Sequence, residues 1–432
     1  MLPLPLWRLV AISSLGFALT LASNSLDPAI FGHKVLQLMP EQPNTLLGFS
    51  TFAASILAIL IGPVVGAISD RWLRERGSRM LNFMVGVPVM LVALAGIALS
   101  QTVSAFVLFL LVYRFGDHFA FSPFQALYSD YVPHNQRGMA AGVRSFLDIL
   151  ALLIGRFAAG ELVALAPQIG ERAVLLAALV PALALLIGLA TTFFGTRTLP
   201  LLSKKGRGDN TRAGLSDFFK IDWQTQTGFR WWFVNRALFW AAFTILGTFL
   251  LFFIIDVVGL VEADAQRYLA RLSLILGGAI LLISVPAGRL ADRIGRKPLI
   301  IWACAFTAVG GILLLVMRSL SGLSVAGAFV GLGAGVFLSA DFALLTEIVP
   351  RGQAGRYLGI ANIASAGGGA VARLMGGLVI DPLNALSGSK SFGYLALYAL
   401  AALLLILSIG AARQLPSEGS DGPLNEAQRE SE

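Results

Sequence analysis

Apolar segments of membrane-spanning length recur from one end of this 432-residue chain to the other. A helix needs about 20 predominantly apolar residues to cross a bilayer. Twelve such segments are predicted, at roughly 9–32, 45–69, 81–100, 104–129, 140–166, 173–195, 230–258, 269–291, 299–317, 321–346, 357–380 and 392–413. In lipid, backbone groups must be satisfied within the segment, so each is expected as a helix. The composition agrees, with 56% hydrophobic and 13% charged residues. A soluble domain carries about a quarter charged residues, and this chain has too little polar surface to cover itself in water. The fold class expected is therefore an all-α polytopic membrane protein of twelve transmembrane helices.

The net charge of +8 does not point to nucleic acid. The basic residues lie in short loops between apolar segments, where Lys and Arg encode topology. With the amino terminus inside, the inner loops hold Arg71, Arg74, Arg76, Arg79, Arg137, Lys204, Lys205, Arg293, Arg296 and Lys297, among others. The outer loops hold only Lys34, Arg172, Arg267, Arg271, Arg318 and Lys390. Both termini are thus expected in the cytoplasm and the chain in the plasma membrane, as a monomer among lipids. A signal-like Thr20-Leu21-Ala22 is set aside, since cleavage there would leave an unpaired span. One cysteine (Cys304) and three scattered histidines offer no disulfide framework and no metal-ligand spacing. No cofactor is expected, and the phosphate-binding loop of an ATP-driven pump is missing from the sequence. Nor do the scattered His and lone Cys supply the nucleophile–base constellation an enzyme would need.

The two halves of the chain repeat. Ala126–Gly142 reads ALYSDYVPHNQRGMAAG, and Ala343–Gly359, 217 residues later, reads ALLTEIVPRGQAGRYLG. Asp130 falls on Glu347, Val132-Pro133 on Val349-Pro350, and Arg156 on Arg373. Gly66, Asp70 and Arg71 match Gly288, Asp292 and Arg293 at a nearly equal offset. Two pseudo-symmetric six-helix bundles, 1–196 and 230–414, are expected around a cytoplasmic linker at 197–229, with a disordered acidic tail at 415–432. A short amphipathic surface helix is expected within the linker at Gly214–Trp223. Paired bundles of this kind suit a protein that opens a central site to alternate sides of a membrane.

On these residues the chain resembles the major facilitator superfamily over essentially its whole ordered length. The family's loop motif, Gly-x-x-x-Asp-Arg-x-Gly-Arg-Arg/Lys, is better kept in the second copy: Gly288, Asp292, Arg293, Gly295, Arg296 and Lys297. The first copy has Leu73 in the glycine position, and its basic residues follow in a longer loop. The resemblance implies a secondary transporter of a small solute that alternates access, with a charged cytoplasmic latch formed by Asp70, Arg71, Asp130, Asp292, Arg293, Arg296 and Glu347. Coupling to a proton or cation is expected, with symport preferred because the glycine–proline signature of many antiporters is not found in the fifth helix. Efflux of drugs or metabolites is the alternative. A channel or membrane enzyme is a distant third.

Charged side chains at bilayer depth cost roughly 2.5–3.5 kcal/mol or more, so they face partners or cavities. Thr20, Asn24 and Asp27 share a face of the first helix, and Pro28 is expected to kink it. Arg114, Asp117 and His118 cluster on the fourth helix. Arg144 and Asp148 are spaced for a pair on the fifth, and Arg156 and Arg373 match across the repeat as a potential clamp on an anion. The candidate substrate or ion site is thus Asn24, Asp27, Arg114, Asp117, His118, Asp148, Arg156 and Arg373. Arg236 and Asp256 are expected near the ends of the seventh helix, at the interface. The glycine run at 367–369 is expected to serve close packing.

Overall fold

A computed structural model of the chain describes residues 4–200, 226–348 and 354–415. The expected surface helix, the acidic tail and the loop 349–353 fall outside the described residues. Among the described residues are twelve long helices: α1 (Leu6–Leu38), α2 (Pro43–Arg76), α3 (Met80–Leu99), α4 (Val103–Tyr131), α5 (Arg137–Val163), α6 (Arg172–Thr196), α7 (Thr227–Thr248, continuing as Leu250–Val258), α8 (Glu262–Ile294), α9 (Arg296–Val316), α10 (Leu320–Ile348), α11 (Ala354–Ser387) and α12 (Phe392–Arg413). Ten are long and apolar enough to cross a membrane, and α7 makes an eleventh as a span bent by 45°. The exception is α5, which carries Arg144, Asp148, Arg156 and Glu161 along one length of helix. Charged residues within a span normally face a partner or a cavity.

The predicted kink in α1 is present. The helix passes through a π-turn at Leu26–Ile30, where Asp27 leaves helical geometry (φ −109°, ψ 119°). Pro28 withdraws a backbone donor there, and π-turns in helices recur at functional sites. The helix then continues to Leu38, further than the sequence suggested, and this corrects the placing of Lys34. Its side chain is buried, not in an outer loop, and donates to Gln37 Oε1 (3.1 Å) and to the carbonyl of Ser100 (3.2 Å), the residue that ends α3. A cation at a helix C-terminus meets the negative end of the dipole and an orphan carbonyl. Replacing Lys34 by methionine is expected to lower stability by about 1–3 kcal/mol, measurable as a drop in the thermal unfolding midpoint of purified protein.

The chain divides into two compact units, residues 1–207 with 259–273, and 208–258 with 274–432. In the first, α1 packs against both α5 and α6, α3 against α4 and α6, and α2 against α4. In the second, α7 packs against α11 and α12, α9 against α10 and α12. Gly331 and Gly335 of α10 lie against the backbone of α8 at Leu276 and Ile280. The pairings of the second unit are those of the first with each helix number raised by six, so the sequence repeat is also a repeat of packing.

Candidate functional site

The α1–α5 seam closes because Gly155 has no side chain. A Cβ there would stand 2.7 Å from the carbonyl oxygen of Leu21 and 3.3 Å from the amide of Ser25. Ser25 in turn donates to the Gly155 carbonyl at 3.3 Å. With the helices this close, their polar side chains interlock. Thr20 donates to Asp148 Oδ1 (3.2 Å), and Asn24 Nδ2 bonds back to the Thr20 carbonyl (2.8 Å). Arg156 Nε donates to Asn24 Oδ1 (3.2 Å), with Asp27 nearby as an opposite charge. Arg144 pairs with Asp148 at 3.4 Å and lies over the rings of Phe124 (5.3 Å) and Tyr128 (5.5 Å) of α4. Five predicted residues or their neighbours thus form one ladder: Asp148, Thr20, Asn24, Arg156 and Asp27.

Arg114, Asp117 and His118 do not join it among the described residues. Arg114 pairs within α4 with the buried Asp117 at 3.7 Å, and His118 meets Phe121 edge-on. Arg373 lies on α11, one turn beyond Gly369, with Nη1 beside that glycine. Within the glycine run Gly368 packs closely, since a Cβ there would strike the carbonyl of Ala237 on α7, whereas one at Gly367 would meet nothing within 4 Å.

In the second unit Arg236 meets side chains of two neighbouring helices. Its guanidinium forms an ion pair with Asp341 of α10, donates through Nε to Ser365 of α11 (2.7 Å), and lies over Trp232 (5.3 Å). Asp256 is likewise engaged, accepting from the Tyr394 hydroxyl at 2.6 Å in the π-turn that ends α7. The signal for Arg236 was its depth of a few turns inside a span. Its partner, 105 residues away, carried no local mark.

At the first motif copy the hub is Arg79, which the sequence left undistinguished from Arg74 and Arg76. Its guanidinium reaches Asp70 (2.8 Å) and Ser69 (2.8 Å) of α2 and Asp130 (2.7 Å) of α4. Burial opposes its charge, but the two carboxylates outweigh that and raise its pKa above the usual arginine value. Arg71, expected in the latch, is exposed and pairs with Glu75 on its own helix at 2.7 Å. In the second copy Arg293 is exposed and Arg296 half-buried. Asp292 and Glu347 lie on α8 and α10, with side chains outside the described ones.

His33, read from sequence as an ordinary polar side chain, pairs with Glu262 at 2.6 Å. The two line an open cleft of about 360 Å³ with Gln37 and Glu171.

Comparison with known proteins identifies the class. The Major Facilitator Superfamily profile matches residues 6–372 and 270–430, and the chain belongs to that family of membrane transporters. Its family and fold are those of transporters. Among curated relatives, an uncharacterized MFS-type transporter of Mycobacterium tuberculosis is 30% identical over 112 residues, 26% of this chain and 16% of that protein. Multidrug resistance protein fnx1 of Schizosaccharomyces pombe is 34% identical over 92 residues, 21% of this chain and 17% of that one. The matched stretch is thus less than a fifth of each relative's length. Among solved structures, the nucleoside transporter NupG superposes with a TM-score of 0.72 at 14% identity, covering 94% of this chain and 99% of that one. A D-xylose–proton symporter superposes with a TM-score of 0.68 at 16% identity, covering 93% and 96%.

Proposed function

We propose that the chain is a secondary active transporter that moves a small solute by alternating access of two six-helix bundles, coupled to a proton or cation in symport. The observation that carries this is the ladder across the α1–α5 seam. A carboxylate (Asp148) shared between a hydroxyl and an arginine, next to a second arginine and a second carboxylate, offers acceptors for a cation and donors for a solute at bilayer depth. A relative in fold, the D-xylose–proton symporter, favours the same direction. Orientation with both termini in the cytoplasm of a plasma-membrane protein follows from the loop charges.

In this reading the Arg79 hub and the second motif copy hold the cytoplasmic side shut while the site faces outward. Asp70→Ala is then expected to cut transport while leaving solute binding in place, read by uptake alongside calorimetry; unimpaired uptake refutes it. The coupling is tested by reconstituting the protein in liposomes. Uptake should saturate, show counterflow, and fall when a proton or sodium gradient is collapsed; conductance without exchange would identify a channel. Asp148→Asn should abolish gradient-driven uptake but keep counterflow. The resemblance to a multidrug resistance protein over 92 residues favours efflux as the second reading. It predicts that an imposed proton gradient drives solute outward against it.

A further inference from the structure

The ion pair between Arg236 and Asp341 sits in an unusual state of satisfaction. Asp341 is 2% exposed, and its Oδ2 takes the guanidinium. Its Oδ1 is buried without a hydrogen-bond donor among the described residues. Ser365, the other acceptor for Arg236, is neutral, and 16% of the Arg236 side chain remains accessible. A buried ion pair is weak as a stabilising device, because desolvation offsets its attraction, and a carboxylate with one bare oxygen is a poor case of it. An arginine fork is matched in shape to a bidentate carboxylate or phosphate, whereas here it meets one oxygen of Asp341 and a hydroxyl.

The sequence repeat aligns this cluster with the surroundings of Arg144 in the first unit. Counting back 217 residues, Ser365 falls on Asp148 and Asp341 falls on Phe124. Those are the residues around Arg144 in the first unit, where the arginine lies over Phe124 and pairs with Asp148. Each unit therefore brings one arginine to this rung, Arg144 from α5 in the first unit and Arg236 from α7 in the second. In the first unit the carboxylate comes from α5, and in the second from α10.

We infer that Arg236 is a recognition residue for an anionic group of the solute, a carboxylate or phosphate, and that Asp341 is the internal carboxylate that occupies the arginine until the solute displaces it. The solute class follows: small organic or inorganic anions. The inference rests on the transporter reading only in requiring that the chain bind a solute, and it needs neither symport nor a coupling ion.

The test is binding, not transport. Purified full-length protein is titrated with benzoate, succinate and inorganic phosphate, with glucose and uridine as neutral controls, and affinity is read by calorimetry and thermal shift. Wild type is expected to bind at least one anion and not to need the neutral solutes. Asp341→Asn removes the competitor and should tighten that anion about tenfold. Arg236→Gln should abolish anion binding. Because either single change can also weaken the fold, the double variant R236Q/D341N, which leaves no unpaired charge, should unfold near the wild-type temperature yet bind no anion. Anion affinity unchanged or weakened in Asp341→Asn, anion binding that survives Arg236→Gln, or no anion binding in both wild type and Asp341→Asn overturns the inference. Saturable uptake of a neutral solute by such a protein would leave the transporter reading intact, whereas no transport of any bound solute would remove that reading instead.

Discussion

Replacing Arg79 by alanine is expected to destabilise the protein by about 3–5 kcal/mol, the range found when one partner of a buried ion pair is removed. Arg79 and Asp130 are 5% and 4% exposed in their side chains and 2.7 Å apart, so the variant leaves a carboxylate buried at the end of α4 without its counter-charge. Asp70, half exposed, falls back on water and contributes little. Lysine should not rescue the site, because the guanidinium serves three acceptors at once through Nε, Nη1 and Nη2 and an ammonium lacks that fork. The double variant Arg79→Ala/Asp130→Asn should recover much of the loss, since it removes the stranded charge along with its partner. Arg71→Ala, by contrast, should leave the unfolding midpoint where it is, because that pair lies in solvent. These outcomes are read from thermal unfolding in detergent. A mild Arg79→Ala or a severe Arg71→Ala would reverse the assignment of the hub.

The contrast between those two arginines shows where the sequence ran out. Helices, their approximate limits and the repeat were all legible, because apolar length and matched glycines, prolines and acids are local signals. Even the polarity of α5 was visible, and with it Asp148 and Arg156. What sequence spacing could not rank was which of several loop arginines turns inward. Arg71 stands in the motif position, but α2 runs on as helix to Arg76 and turns at Gly77 (φ 68°). That extra helix carries Arg71 to the surface, and Arg79, just past the turn, comes back beneath the ends of α2 and α4. The pairing of Arg236 with Asp341 was hidden for a different reason. Their pairing is long-range, and each alone looks like a polar residue in an apolar helix. Lys34 illustrates a third limit: a charged residue at the end of an apolar segment reads as a loop, although here the helix continues past it and the charge caps another helix.

Adding a single methyl group at Gly155 should disable transport more severely than it weakens the fold. The Cβ of Gly155→Ala would lie 2.7 Å from the Leu21 carbonyl oxygen, closer than ordinary contact, and the obstacle is backbone on both sides. Neither atom can rotate away, so α5 must shift from α1 by a fraction of an ångström or more. Overpacking of this kind costs typically about 1–3 kcal/mol. The functional cost is larger, because the bonds that order the ladder, Thr20 to Asp148 and Arg156 to Asn24, are already 3.2 Å long and lie on either side of the contact. Stretching them decouples Asp148 and Arg156 from α1, and a misplacement near 1 Å can cost on the order of 100-fold in rate. Gly142→Ala on the same helix is the control. A Cβ there meets nothing within 4 Å, and alanine is the better helix former, so both stability and uptake should hold or rise. The comparison is made on initial uptake rates in liposomes normalised to folded protein. Equal rates for the two variants would mean that the α1–α5 seam does not position the site.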